Sequence, residues 1–163
     1  MNPNDVKILV NPEISEEQLW DFYVCNDICE AGYGDKKITA VPLINSSLVV
    51  GSFCKDKLVG IIRVIHDGLT ANICECSLEL ELQGYNRHEN GSLLENDKFG
   101  IAKQMWSLMK KELDNIGVNF ISYVIAEDVE KSVAESFGLT ENIGHREYIL
   151  DNRQYVKNDE KNE

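Results

Sequence analysis

The run NDKFGIAKQMWSLMKKEL, Asn96 to Leu113, places a glycine and an alanine where a helix begins. Ile101, Met105, Leu108, Met109 and Leu113 recur at helical spacing and predict one buried face, and Gly117 marks the end of the helix. The first N–H groups of a helix have no partner within it, and the helix dipole makes that end attractive to an anion. Small residues such as Gly100 and Ala102 would let a phosphate approach those groups. They would equally suit a close-packed joint between a loop and a helix.

The segments on either side of this helix set the topology. Before it, ANICECSLELEL (Ala71–Leu82) alternates strictly. Cys74, Cys76, Leu78, Leu80 and Leu82 are expected on one face of a long strand, with Ile73, Glu75, Ser77, Glu79 and Glu81 on the other. After it, NFISYVIA (Asn119–Ala126) reads as a buried strand. A helix joining two strands of one sheet implies a right-handed crossover and parallel pairing. Upstream, SLVVGSFCKDKLVGIIRVIHDG reads as two strands joined in a hairpin at Lys55–Lys57, with a further turn at His66–Gly68.

Near the N-terminus, Val6–Val10 reads as a first strand. A helix follows, with Ser15 and Gln18 at capping-box positions, Ile14 and Leu19 as a staple, and Leu19, Trp20, Tyr23, Cys25 and Ile28 as its buried side. Ala31–Ser46 and Gln83–Asn96 read as loops, DVEKSVAESFG (Asp128–Gly138) as a short helix and Arg146–Leu150 as a last strand. The sequence therefore predicts a mixed α/β (α+β) fold: a mostly antiparallel twisted sheet, helices on both faces and one parallel strand pair. A single domain spans residues 1–151, followed by a charged tail at 152–163 that is expected to be disordered.

The chain has 163 residues, 43% of them hydrophobic and 27% charged, the profile of a globular protein with a substantial core. No apolar run approaches the roughly 18 residues needed to cross a bilayer. Met1–Asp5 lacks the layout of a secretory signal, so a cytoplasmic location is expected. Cys25, Cys29, Cys54, Cys74 and Cys76 form no CxxC pair. They read as reduced thiols without a metal, with Cys74 and Cys76 in the core. Sixteen basic residues against 28 acidic ones give a net charge of −12, which disfavours nucleic acid and anionic membranes and would favour a cationic substrate.

This order of elements, with a small-residue turn opening the helix between two parallel strands, resembles the GNAT superfamily of N-acetyltransferases over about residues 5–151. The family's acyl-CoA signature is Arg or Gln, two residues, Gly, one residue, then Gly or Ala. It falls here on Asp97-Lys98-Phe99-Gly100-Ile101-Ala102, where the glycine and alanine match and Asp97 departs. AESFGL (Ala134–Leu139) resembles the family's segment closing the next helix, and the position implied for its general-acid tyrosine carries Ala134.

The resemblance implies acetyl-CoA as co-substrate, with Lys98, Phe99, Gly100, Ile101 and Ala102 at its phosphates and Leu80 and Leu82 along its pantetheine arm. It implies transfer to a primary amine, on a small molecule or a protein, by direct attack in a ternary complex, and it allows a homodimer. An alkylammonium has a pKa near ~10, so a base must accept its proton. Glu79 and then Glu75 are the candidates on the acidic strand, while Glu81 reads as solvated. Tyr123 could protonate the leaving thiolate or be an ordinary core tyrosine. The alternative function is a non-catalytic CoA-binding or protein-interaction module with the same fold.

Overall fold

The computed structural model of the chain describes residues 1–26, 28, 42–84, 94–125, 130–144 and 150. The expected strand at Arg146–Leu150, except Leu150 itself, lies outside the described residues. So do His145, Cys29, the C-terminal tail and residues 31–41 and 85–93 of the two loops. In chain order the elements are β1 (Val6–Val10), α1 (Glu16–Cys25), β2 (Leu48–Cys54), β3 (Lys57–His66) and β4 (Thr70–Leu78). They continue with α2 (Leu80–Gln83), α3 (Ile101–Ile116), β5 (Phe120–Tyr123) and α4 (Lys131–Ser136).

Among the described residues the strands form one sheet in the order β1-β2-β3-β4-β5. The first four pair antiparallel, and β4 pairs parallel with β5, as the crossover through α3 requires. This is the mixed fold expected from the sequence. The two faces carry separate cores. On one, α3 lays Ile101, Met105, Met109 and Leu113 against Val50, Val59, Ile62, Val64 and Leu78. Each such large side chain contributes about 1.5–3 kcal/mol when fully buried. Trp106 stacks on Phe137 at 5.4 Å and donates its indole N–H to the Phe137 carbonyl at 2.8 Å, which fixes the end of α4 to α3. On the other face, α1 packs Leu19, Phe22 and Tyr23 against Val49, Phe53, Leu58 and Ile61.

Local chemistry explains the helix ends. Ser15 Oγ accepts the Gln18 N–H at 3.1 Å while Gln18 Oε1 accepts the Ser15 N–H at 3.0 Å, the reciprocal capping box. Gly117 closes α3 at φ +100°, donating to the Leu113 and Asp114 carbonyls.

Three expectations are corrected. The acidic strand ends at Leu78 rather than Leu82, because the Glu79 carbonyl accepts the Leu82 and Gln83 N–H groups and turns the chain into α2. Asn26 Oδ1 accepts the Leu80 N–H at 2.9 Å, and Gly84 stops the turn in the left-handed region. Leu80 and Leu82 are therefore buried on a helix, not on a strand edge. Second, the register slips between Arg63 and Val64, where Glu75 pairs with Arg63 but Ile73 pairs with Val64. The bulged residue, Cys74, is exposed, and the alternation changes phase there. Ile73 thus joins Cys76 and Leu78 in the α3-side core. Third, α1 exposes Cys25 and buries Phe22, which occupies the inward position three residues after Leu19.

Candidate active site

β5 accompanies β4 only from Thr70 to Ile73. Beyond that, Cys74–Leu78 pairs with β3 on one edge and with no described strand on the other. Glu79 donates its N–H to the Val59 carbonyl on β3 at 2.8 Å. Antiparallel alternation then turns the backbone polar groups of Leu78 and Cys76 toward the open edge. The notch between the strands therefore offers backbone donors and acceptors on one wall. Tyr123 ends β5 at its mouth, and burial raises its hydroxyl pKa, keeping the phenol protonated.

The two expected carboxylates sit on the α1 side of β4, both buried, with Glu75 at 4% exposure and Glu79 at 8%. Their surroundings differ. Glu75 Oε2 accepts Tyr23 Oη at 2.7 Å and Arg63 Nε at 2.6 Å, while Oε1 accepts Ser77 Oγ at 2.9 Å. Arg63 Nη1 goes on to Ser46 Oγ at 3.1 Å. Burial works against the Arg63 charge, but the adjoining carboxylate outweighs it and the guanidinium pKa is raised. Burial, then the same carboxylate, pushes the Tyr23 phenol up. Glu75 is in effect a pin between helix and sheet.

Glu79 stands at the end of β4 with φ −50° and ψ 131°, between strand and helix. Its Oε1 accepts Lys57 Nζ at 2.7 Å, from a half-exposed lysine, and its Oε2 accepts Asn26 Nδ2 at 3.3 Å. Fully buried Asn26 also donates to the Phe22 carbonyl at 2.8 Å, so one amide ties the end of α1 to Glu79 and to α2. Glu81 lies apart from both, with its side chain 60% exposed and paired to the N-terminal ammonium. Sequence reasoning missed Arg63, Lys57 and Asn26. A lone arginine inside the apolar run GIIRVI was the available signal, since a charge in such a strand needs a partner.

Gly100 opens α3 at φ +70°, ψ 21°, and a Cβ built there meets nothing within 4 Å. Glycine is thus favoured by the backbone conformation, and the space above it is open. Phe99 is exposed, and the Lys98 ammonium lies 5.3 Å from the centre of its ring. The lysine stem lies against Gly84, where a Cβ would come within 2.8 Å of Lys98 Cδ. Ile101 and Ala102 are buried, so what the first turn of the helix itself offers an anion is its backbone N–H groups. Two of those groups are already engaged: Asp97 Oδ1 accepts the Ala102 N–H at 3.1 Å and Oδ2 the Lys103 N–H at 2.9 Å. The helix start thus has open space at Gly100, while two of its backbone donors are held by the chain's own carboxylate.

No family model and no curated protein matches the chain in sequence. Its shape does have neighbours among solved structures. The GNAT-family acetyltransferase SP0256 of Streptococcus pneumoniae superposes with a TM-score of 0.63 at 18% identity, covering 91% of this chain and 99% of that one. The aminoglycoside acetyltransferase meta-AAC0020, from an uncultured soil metagenomic sample and solved with sisomicin, gives 0.60 at 17%, covering 91% and 98%. AAC(6')-Iy, solved with a CoA-S-monomethyl-acetylneamine bisubstrate analogue, gives 0.62 at 11%, covering 91% and 98%. At such identities the likeness establishes the fold, and that fold is the GNAT fold.

Proposed function

We propose that this chain transfers an acetyl group from acetyl-CoA to a primary amine by direct attack in a ternary complex. The observation that carries the reading is the position of Glu79. It is a buried carboxylate at the end of β4, beside the notch where β5 has left, and its strongest partner reaches solvent. The neutral amine nitrogen attacks the thioester carbonyl, the C–S bond breaks, and the CoA thiolate leaves, taking up the proton that the newly acylated nitrogen loses. Glu79 takes the proton that the ammonium must lose. A backbone N–H on the open edge of β4 suits the developing oxyanion. Glu75, already saturated by three donors, holds α1 on the sheet instead. The net charge of −12 suits a cationic acceptor. That one solved neighbour is an aminoglycoside acetyltransferase, and another was solved with a CoA-linked acetylneamine bisubstrate analogue, is consistent with an amine acceptor.

A second reading, a non-catalytic module of the same fold, is favoured by the Asp97 contacts with Ala102 and Lys103 and by alanine at position 134. Thermal denaturation with and without acetyl-CoA separates the two. At a hundred times its dissociation constant the ligand adds about 2.7 kcal/mol of stability. Gly100→Ala, unopposed in space but strained at positive φ, is expected to lose about 1–2 kcal/mol and keep the shift. Gly100→Glu is expected to abolish it. Equal shifts for the parent and Gly100→Glu would place the ligand elsewhere, and no shift in the parent would favour the module.

A further inference from the structure

The start of α3 is joined to the end of β4 by a continuous run of hydrogen bonds. Gln83, fully buried, donates from Nε2 to the Leu78 carbonyl at 2.6 Å, on the open edge of β4. Its Oε1 accepts the N–H groups of Glu95 at 2.8 Å and Asn96 at 3.3 Å. Asn96 returns the contact from Nδ2 to the Gln83 carbonyl at 2.9 Å, and its Oδ1 accepts the Asp97 N–H at 2.9 Å. Asp97 then spans the Ala102 and Lys103 N–H groups, and Leu94, at the other end of the segment, is buried in the α3-side core. Asp97 is therefore held over the helix start from both sides.

We propose that Leu94–Asp97 is a built-in competitor for the acyl-CoA seat. The Asp97 carboxylate occupies the donors that a diphosphate would use, and the Gln83 amide occupies a backbone acceptor in the notch. The inference rests on the acyl-CoA reading above and adds regulation of that site. Two anions cannot share the same pair of N–H groups at one helix end, so CoA binds only as Asp97 withdraws. The apparent affinity is the intrinsic one multiplied by the fraction of molecules in which Asp97 is withdrawn. Whatever loosens Gln83 or Asn96 raises that affinity without touching the ligand.

Calorimetric titration of the full chain with CoA tests this on the parent, Asp97→Asn and Asp97→Ala. Asparagine keeps a hydrogen-bond acceptor near the helix start without the charge, so this variant guards against loss of the fold. The expected result is that both variants bind CoA about two- to fivefold tighter, the order of effect of removing one charge from a helix end. Binding by the variants alone would support it most strongly. Equal affinities in all three proteins, or weaker binding by the variants, would overturn the competitor while leaving the acyl-CoA reading intact. Absence of binding in all three would overturn that reading and this inference with it.

Discussion

Glu79→Gln is expected to lower kcat for amine acetylation by about 10²–10⁴ at neutral pH. The substitution keeps the size of the side chain and leaves Asn26 and Lys57 in place, so the fold and CoA affinity should change little. Proton acceptance is removed, together with the negative charge facing half-exposed Lys57. The defect should shrink as pH rises toward the ammonium pKa near ~10, because more of the amine is then already neutral. A pH series of steady-state rates on one amine reads this directly. Glu75→Gln is the control. Glu75 is surrounded by Tyr23, Arg63 and Ser77, so its replacement should lower stability more than turnover. A larger kcat defect in Glu75→Gln than in Glu79→Gln would reverse the assignment.

The second large effect falls on the fold. Arg63→Met removes the guanidinium that faces Glu75 and leaves a carboxylate uncompensated inside the α1 interface. Removing one partner of a buried pair costs about 3–5 kcal/mol, whereas replacing both by apolar groups is often neutral. Urea denaturation should therefore show a loss of about 3–5 kcal/mol for Arg63→Met. Recovery of most of it is expected in Arg63→Met combined with Glu75→Leu. A single-variant loss below about 1 kcal/mol would mean that the pair contributes no more than a surface ion pair.

What the sequence made legible was set by local rules. The capping box at Ser15 and Gln18, the hairpin at Lys55–Lys57 and the apolar stripe of α3 each follow from neighbours in the chain. The parallel pair followed from handedness once the helix between its strands was recognised. The β4 bulge was not legible. It is fixed by pairing with β3 across the sheet, and one extra residue at Cys74 reverses which side Ile73 faces. The end of β4 was misread because LELEL alternates like a strand, while Asn26, more than fifty residues away, caps the turn that breaks it. Asp97 was visible as a departure from the acyl-CoA signature. That it caps the start of α3 depends on Asn96 and Gln83 holding it there.

The account rests most heavily on acetyl transfer itself. The direct measurement is thiol release from acetyl-CoA by the parent protein across a panel of polyamines, amino sugars, amino acids and peptide amines. The expected result is amine-dependent release of CoA matched mole for mole by an acetylated amine, and loss of that release in Glu79→Gln. Binding of acetyl-CoA with no amine-dependent release from any member of the panel would contradict it, and would leave a module that keeps the fold and the ligand without the reaction.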